Sequence, residues 1–205
     1  MPSRSVSSRP PREPQADTPV RFGFIGTLTE TKGLSVLLEE YLRVRDSLKR
    51  ETELLVAGTG VASYEKELKE RFTHPQIEFL GRVKPEEFFN QIDCSVVPSI
   101  WEEPFPTVVL ESLGAGVPVL GARRGGIPEM VQHEHNGLLF DPIADGELGS
   151  AFAALAENET QLITLQNQAR PSIAHLLDTD AWIDRYEALF ARVVERAHLK
   201  ANSAS

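Results

Sequence analysis

The sequence of 205 residues has little cysteine, no long apolar run and no excess of positive charge. Its single cysteine, Cys94, excludes a disulfide framework within the chain, which fits a reducing compartment and predicts a cytoplasmic protein. No apolar run approaches the roughly 18 residues of a membrane span, and no signal peptide is visible. The formal net charge of −9 argues against general affinity for nucleic acids.

The composition indicates that most of the chain folds. Hydrophobic residues make up 41% of the sequence, and a chain of this length is able to bury its own core. Residues 1–18 are rich in Ser, Pro and Arg and are predicted to form a disordered tail or linker. The folded domain is predicted over residues 19–199, and residues 200–205 are predicted to form a second disordered tail.

Short apolar segments alternate with helical patterns along the folded part. The predicted strands are Val20–Ile25, Glu53–Ala57, Ile77–Leu80, Cys94–Val97, Val117–Leu120 and Leu138–Phe140. The predicted helices include Leu34–Lys49, Tyr64–Phe72, Lys84–Ile92, a helix that begins at Pro106, Ala144–Asn158, Glu159–Ala174 and Asp180–Leu199. This alternation predicts an α/β fold with a doubly wound parallel sheet. In such sheets ligands bind at the carboxyl ends of the strands.

Two glutamates, Glu103 and Glu111, flank the start of a predicted helix. Pro106 suits the first position of a helix, which places Glu103 in the preceding loop and Glu111 about one and a half turns inside the helix. Free N–H groups at a helix start attract phosphate, and carboxylates on either side of it accept hydrogen bonds from hydroxyl groups. The spacing alone equally fits an acidic helix start that complements the helix dipole.

Three motifs follow one another in this stretch. They are Glu103 and Glu111 with seven residues between them, Gly116-Val117-Pro118-Val119, and Gly125-Gly126-Ile127-Pro128-Glu129. In this order they resemble the donor-binding signature of family 4 retaining glycosyltransferases, which have the GT-B fold. The resemblance extends over about residues 20–195. It implies the C-terminal, Rossmann-like half of a GT-B fold, which binds a nucleotide sugar.

The resemblance also implies roles for individual residues. Glu103 would hold the transferred sugar, Glu111 would bind the ribose hydroxyls, and Lys32 would bind the donor diphosphate, with Glu103 and Lys32 as catalytic residues. The other positions that it places around the donor are Gly26, Thr27, Val83, Phe105, Pro106 and Thr107. The donor would be a UDP- or GDP-sugar of the hexose type. No metal or other cofactor is expected, because Lys32 and the helix start would neutralise the leaving diphosphate.

The sequence departs from the family pattern at two places. The family usually carries Gly-Arg, four residues and Lys-Gly after the first strand, whereas this chain keeps Gly26, Lys32 and Gly33 but has Thr27 in place of the arginine. We therefore expect weaker donor binding unless another arginine supplies the charge. The candidates are Arg82, Arg123 and Arg124. In addition, Pro104 and Pro106 replace the glycines of the usual Glu-Gly-Phe-Gly, which removes a backbone N–H.

The resemblance implies a second domain or partner subunit that carries the acceptor site. Only residues 1–18 precede the first predicted strand, so the chain alone is expected to bind a nucleotide weakly and to transfer no sugar. Peripheral membrane contact is left open, through that missing domain. Two alternatives remain: a non-catalytic module that binds sugar nucleotides, and a dinucleotide-binding oxidoreductase domain. The second is suggested by Gly58-Thr59-Gly60, although Ser63 replaces the third glycine of that fingerprint.

Overall fold

The computed structural model describes residues 18–203, with side chains as far as Arg196. One sheet contains the strands β1 (Val20–Ile25), β2 (Thr52–Ala57), β3 (Ile77–Gly81), β4 (Cys94–Val97), β5 (Val119–Ala122) and β6 (Gly137–Phe140). The helices are α1 (Leu34–Val44), α2 (Ala62–Arg71), α3 (Pro85–Phe89), α4 (Thr107–Gly114), α5 (Ile127–Met130), α6 (Glu147–Glu157), α7 (Glu159–Ser172), α8 (Ala174–Leu177) and α9 (Thr179–Ser203).

The strands are all parallel and lie in the order β3-β2-β1-β4-β5-β6. This confirms the predicted doubly wound α/β sheet. All four residues of β4 are buried, as expected for a central strand that is covered on both faces. The chain winds outward from β1 to β3 and then returns to the centre to begin β4. The carboxyl ends of β1 and β4 therefore flank the point where the strand order reverses, which is where ligands bind in such sheets.

Several predicted helices have different ends in the structure. The helix predicted over Lys84–Ile92 ends at Phe89, and the one predicted over Ala144–Asn158 begins at Glu147. The helix predicted over Leu34–Lys49 ends at Val44, because a 3-10 turn, Arg45–Ser47, follows it. The helix predicted from Pro106 begins one residue later. Pro106 has a ψ of 96°, so it caps α4 in an extended conformation instead of forming its first turn.

The fifth strand and the C-terminal helix also differ from their predicted bounds. Val117 was predicted to begin the fifth strand, but its N–H donates to the Ser112 carbonyl at the end of α4, so β5 begins at Val119. Helix α9 continues to Ser203, beyond the predicted end at Leu199. The predicted tail over residues 1–18 lies outside the described residues except for Thr18, as do the last two residues of the predicted tail over residues 200–205.

The chain divides after Ser172 into two compact units. The first contains the sheet and helices α1 to α7, and the second contains α8 and α9. Helix α9 carries a row of aromatic side chains, in which the rings of Trp182 and Tyr186 lie 4.3 Å apart and those of Tyr186 and Phe190 lie 6.2 Å apart. None of the helices described has a stretch that is long and apolar enough to cross a bilayer.

Three aromatic side chains form the core beside β1. Phe22, Tyr41 and Phe152 are fully buried, and the edge of Phe152 packs against Phe22 at 4.7 Å and against Tyr41 at 5.6 Å between ring centroids. The Tyr41 hydroxyl is 3.0 Å from the Thr52 hydroxyl, so its polar end has a partner. Burial in this apolar cluster raises the pKa of Tyr41 to about 12 from its usual 10.0.

We expect the free energy of unfolding to fall as the pH rises from about 10 to about 12. Tyr41 ionises near pH 10 in the unfolded chain but only near pH 12 in the folded one, so over this range alkali favours unfolding. The full shift corresponds to about 2–3 kcal/mol. Urea denaturation at several pH values measures the effect, with Tyr41→Phe as the control. Identical alkaline losses in the two proteins would contradict the assignment.

Candidate functional site

A cleft lies at the carboxyl ends of β1 and β4, where the strand order reverses. Its cavity of ≈ 250 Å³ is bounded by the loop after β1, by the loop after β4 and by the first turn of α4. Among its lining residues are Gly26, Thr27, Lys32, Ser99, Glu103, Phe105, Pro106 and Thr107. The structure thus brings together most of the residues that the sequence predicted for the site. Val83 and Glu111 lie elsewhere and are described below.

Val83 lines a second cavity, of ≈ 540 Å³, next to the first. Both cavities include Ile25, Gly26 and Thr27 in their linings, so these residues form the border between them. The second cavity also includes Arg82. Arg82 therefore lines the same cavity as Thr27, the residue that stands where the family pattern has an arginine.

The other two candidate arginines directly follow β5 and bond toward β6. Arg123 donates to the Leu139 carbonyl at 3.1 Å, and Arg124 donates to the Asp141 carboxylate at 3.0 Å. Both partners belong to β6 or follow it directly. Neither arginine is among the residues that line the two cavities, and the replacement of the missing charge by either stays a prediction.

Glu111 is the fifth residue of α4 and is exposed. It lies three residues after Val108 and four before Ala115, so the three share one face of the helix. Val108 and Ala115 pack against the same core cluster as Val83 and Ile25. Glu111 therefore emerges on the side of α4 that adjoins Val83, and it is not part of the lining of the first cavity.

The turn Gly58-Thr59-Gly60 packs on the loop that follows β1. Leu28 N donates to the Thr59 carbonyl and Gly26 N donates to the Ala57 carbonyl, both at 3.1 Å. A small-residue turn is required here because the two loop backbones touch. This contact accounts for Gly58 and Gly60, so a dinucleotide site is not needed to explain them.

The loops that carry Lys32 and Glu103 are joined backbone to backbone. Ile100 N donates to the Thr31 carbonyl at 3.0 Å, and the Ser99 hydroxyl lies 3.2 Å from the same oxygen. Gly33, which follows Lys32, has a φ of 71° and contacts the backbone of Pro98. A Cβ at Gly33 would lie 2.8 Å from the Pro98 carbonyl carbon and nearer still to its oxygen. Glycine is therefore required at this contact.

Gly125 and Gly126 position the loop of Glu103 from its other side. Gly126 N donates to the Glu103 carbonyl at 2.6 Å, and Gly125 N donates to the Glu102 carboxylate at 2.5 Å. A Cβ on Gly126 would lie 2.6 Å from the Pro104 carbonyl oxygen. The sequence predicted that these glycines allow close approach to a ligand. In the structure they allow close approach to the backbone of residues 102–104 instead.

Lys32 and Glu103 form an ion pair inside the first cavity, with 2.5 Å between Lys32 Nζ and Glu103 Oε1. The Lys32 side chain is 38% exposed, whereas that of Glu103 is 13% exposed. The buried Ser99 hydroxyl lies 3.1 Å from the same carboxylate oxygen. Sequence reasoning did not single out Ser99. Its signal was a small polar residue directly after a buried strand and proline, at the edge of the sheet where ligands bind.

The first turn of α4 adds the third element of the cavity. Thr107 and Val108 line it, and backbone N–H groups in the first turn of a helix have no partner within the helix. This end of the helix carries a partial positive charge, which together with Lys32 makes the cavity suited to an anion. Among residues 18–203, no group of three or more His, Cys, Asp or Glu side chains is arranged to hold a metal ion.

Comparison with known proteins identifies the family. The model of the family described as glycosyl transferases group 1 matches residues 8–171. The chain belongs to this family. An uncharacterised glycosyltransferase of Methanocaldococcus jannaschii is 32% identical over 124 residues, which are 58% of this chain and 31% of the relative. The D-inositol 3-phosphate glycosyltransferase of Corynebacterium kroppenstedtii is 27% identical over 162 residues, 72% of this chain and 35% of the relative.

Solved structures of glycosyltransferases share the fold of this family member. Anabaena HepE in complex with UDP and glucose superposes with a TM-score of 0.77 at 22% identity, over 85% of this chain and 48% of that protein. The C-terminal domain of a group 1 glycosyltransferase from Francisella tularensis superposes with a TM-score of 0.66 at 18% identity, over 76% and 85% of the two chains. The sheet is therefore that of GT-B enzymes. The chain spans about a third of the length of the curated relatives it matches first.

Proposed function

We propose that this chain is the part of a retaining glycosyltransferase that binds the nucleotide-sugar donor, from which a hexose-type sugar passes to an acceptor hydroxyl. The observation that carries the proposal is the meeting of Lys32, Glu103 and the start of α4 around one cavity at the point of strand reversal. HepE, which shares the fold, was solved with UDP and with UDP-glucose. That observation on a relative favours a uridine nucleotide as the first donor to test.

The diphosphate is assigned to the first cavity. The N–H groups of the first turn of α4 would donate to its oxygens, and Lys32 would supply a full positive charge from the opposite loop. Pro106 has no N–H, and Val109 N donates to the Pro106 carbonyl, so the anion depends on the amides of Thr107 and Val108. We propose that these groups neutralise the charge of the leaving diphosphate and that no metal ion is needed.

The nucleoside is assigned to the second cavity. A nucleotide that extends from the first cavity into the second crosses the border at Gly26 and Thr27, where the backbone is accessible. The base would then lie beside Val83, and the ribose hydroxyls would donate to the Glu111 carboxylate on the same side of α4. The two cavities have volumes in the range that is typical of small-molecule sites.

The reaction follows from this placement. The bond between the anomeric carbon and the β-phosphate oxygen breaks, and the bonding electrons stay on the diphosphate, where Lys32 and the helix start stabilise the new charge. The acceptor oxygen would bond to the anomeric carbon on the face that the diphosphate leaves, and the acceptor proton would pass to the departing diphosphate oxygen. Glu103 would hold the sugar hydroxyls during this exchange. Orientation of both reactants against each other contributes several orders of magnitude in rate.

The acceptor site is assigned to the part of the enzyme that this chain does not cover. The curated relatives extend well beyond the region they share with this chain. In our proposal a second domain or subunit closes the cleft and positions the acceptor. Without that part, the donor cleft of the residues described here would be open to water. Water weakens hydrogen bonds and screens charge, so donor binding would be weak. These residues would not transfer sugar by themselves.

Calorimetric titration of the chain with UDP, GDP, UDP-glucose and NAD tests the proposal. We expect a nucleoside diphosphate to bind, and Glu111→Gln to weaken it by about 1.5–3 kcal/mol, because a hydrogen bond to a charged acceptor is lost. Glu67→Gln, an exposed substitution on α2, is the matched control for the change in net charge. Binding of NAD alone would favour the oxidoreductase alternative, and binding of no nucleotide would refute the proposed function.

A further inference from the structure

The ion pair between Lys32 and Glu103 lies in the cavity to which we assign the donor diphosphate. Lys32 is the full positive charge that our proposal offers to the diphosphate, and its Nζ is only 2.5 Å from Glu103 Oε1. We propose that Glu103 competes with the diphosphate for Lys32, so that the site selects donors that carry a sugar over the bare nucleoside diphosphate. This inference rests on the proposed function and concerns the same cavity.

Glu103 is the fixed member of the pair. Its side chain is 13% exposed, its carboxylate lies 3.1 Å from the Ser99 hydroxyl, and its backbone carbonyl accepts from Gly126 N at 2.6 Å. The single proton of the Ser99 hydroxyl has two further acceptors within reach, Thr31 O at 3.2 Å and Trp101 O at 3.3 Å. Lys32, in contrast, is 38% exposed and ends a flexible four-carbon chain. When a diphosphate enters, Lys32 turns toward it and the Glu103 carboxylate stays in place.

A bare nucleoside diphosphate leaves Glu103 in an unfavourable position. The carboxylate loses its cation and remains largely buried beside a second anion. Both effects raise the free energy of the complex and oppose binding. The Ser99 hydroxyl has a single proton, so it supplies at most one hydrogen bond to the carboxylate. The free energy of binding is therefore reduced by the cost of breaking the ion pair.

A nucleotide sugar offsets this cost. Its sugar hydroxyls are hydrogen-bond donors, and those that reach Glu103 replace Lys32 as partners of the carboxylate. The lysine is then free to bind the diphosphate without leaving a buried charge behind. Selectivity is a difference between two affinities, and here it arises as much from the penalty on the bare nucleotide as from the contacts to the sugar.

The same competition favours release of the product. Transfer of the sugar removes the hydroxyl groups from Glu103 while the diphosphate still holds Lys32. The carboxylate then competes again for the lysine, and the ion pair re-forms as the nucleoside diphosphate leaves. Product release limits the turnover of many enzymes, so a built-in competitor at this position acts on a step that matters for rate.

The test uses whichever nucleoside diphosphate, UDP or GDP, binds in the titrations above. Glu103→Gln keeps the shape of the side chain but removes its charge, so we expect this nucleotide to bind about fivefold tighter. The advantage of the corresponding nucleotide sugar over the bare nucleotide should shrink in the same variant. Glu30→Gln is the matched control, because it removes one charge from the loop of Lys32 and leaves the ion pair intact.

Two further variants keep the result decisive. Glu103→Ala should also tighten binding of the bare nucleotide, and in a Lys32→Met background the gain from Glu103→Gln should be smaller, because no lysine is left to compete for. Thermal melting of each variant shows whether it is folded. Unchanged or weaker binding of UDP or GDP by folded Glu103→Gln would overturn the competition and leave donor binding standing. Absence of nucleotide binding by the unmodified chain would instead overturn the proposed function.

Discussion

Replacement of Gly33 by alanine should lower the free energy of unfolding by about 3 kcal/mol or more and remove measurable nucleotide binding. The left-handed conformation at a φ of 71° alone costs alanine about 1–2 kcal/mol. The new Cβ would also press on the Pro98 carbonyl. The loop after β4 is unable to move away without stretching the hydrogen bond from Ile100 N to the Thr31 carbonyl. Because Lys32 and Glu103 lie on these two loops, the ion pair is displaced as well.

Gly81→Ala is the matched control for this variant. Gly81 has a φ of 66°, close to that of Gly33, but a Cβ at Gly81 would meet nothing within 4 Å. The two alanines therefore carry the same backbone strain, and only the one at position 33 adds a clash. Urea denaturation gives both free energies of unfolding, and their difference measures the contact between the loops. Equal losses in the two variants would show that the loops separate at no cost.

Replacement of Gly125 by alanine should have a comparable effect on stability and a more selective effect on binding. Gly125 has a φ of 49°, and its Cβ would lie 2.5 Å from Glu103 N and nearer still to the Glu103 carbonyl oxygen. We expect a loss of about 2–4 kcal/mol from strain and displaced backbone together. Because the clash acts directly on Glu103, the preference for UDP-glucose over UDP should disappear.

Denaturation and calorimetry of Gly125→Ala separate the two parts of this expectation. The stability loss should exceed that of Gly81→Ala, which has similar strain and no clash. The ratio of the UDP-glucose and UDP affinities reports the position of Glu103. A destabilised variant that kept the original ratio would show that the glycine contact supports the fold without positioning the carboxylate.

The sheet and the location of the site were predictable because both depend on local patterns. Strand and helix signals alternate within windows of ten to fifteen residues, and parallel strands place their carboxyl ends at one edge. Glu103 and Lys32 follow two such strands, which agrees with the single site that the family resemblance implied. The start of α4 was missed by one residue, since the fixed φ of Pro106 is compatible both with a first turn and with an extended cap.

The contacts between loops were not predictable from the sequence. The Ser99 hydroxyl lies beside the Glu103 carboxylate, Gly126 N donates to the Glu103 carbonyl and Gly125 N donates to the Glu102 carboxylate. Nothing in the pattern of side chains along the sequence reveals these contacts. The pairing of Lys32 with Glu103 joins residues 71 positions apart and depends on the exact course of two loops. The choice among the arginines likewise required the side-chain contacts, because Arg82 lines the second cavity whereas Arg123 and Arg124 bond toward β6.

The order of the strands also has a consequence for folding kinetics. Strands β1 to β3 are consecutive in sequence and are able to pair while the rest of the chain is unfolded. The cleft needs β4 beside β1, which brings Phe22 next to Cys94 and closes a long loop of chain. We therefore expect the cleft to be completed late, after the β1–β3 unit has formed. A ligand of the cleft then has no site to bind early in folding. We therefore expect the ligand to stabilise the protein by lowering its unfolding rate, with little change in its folding rate.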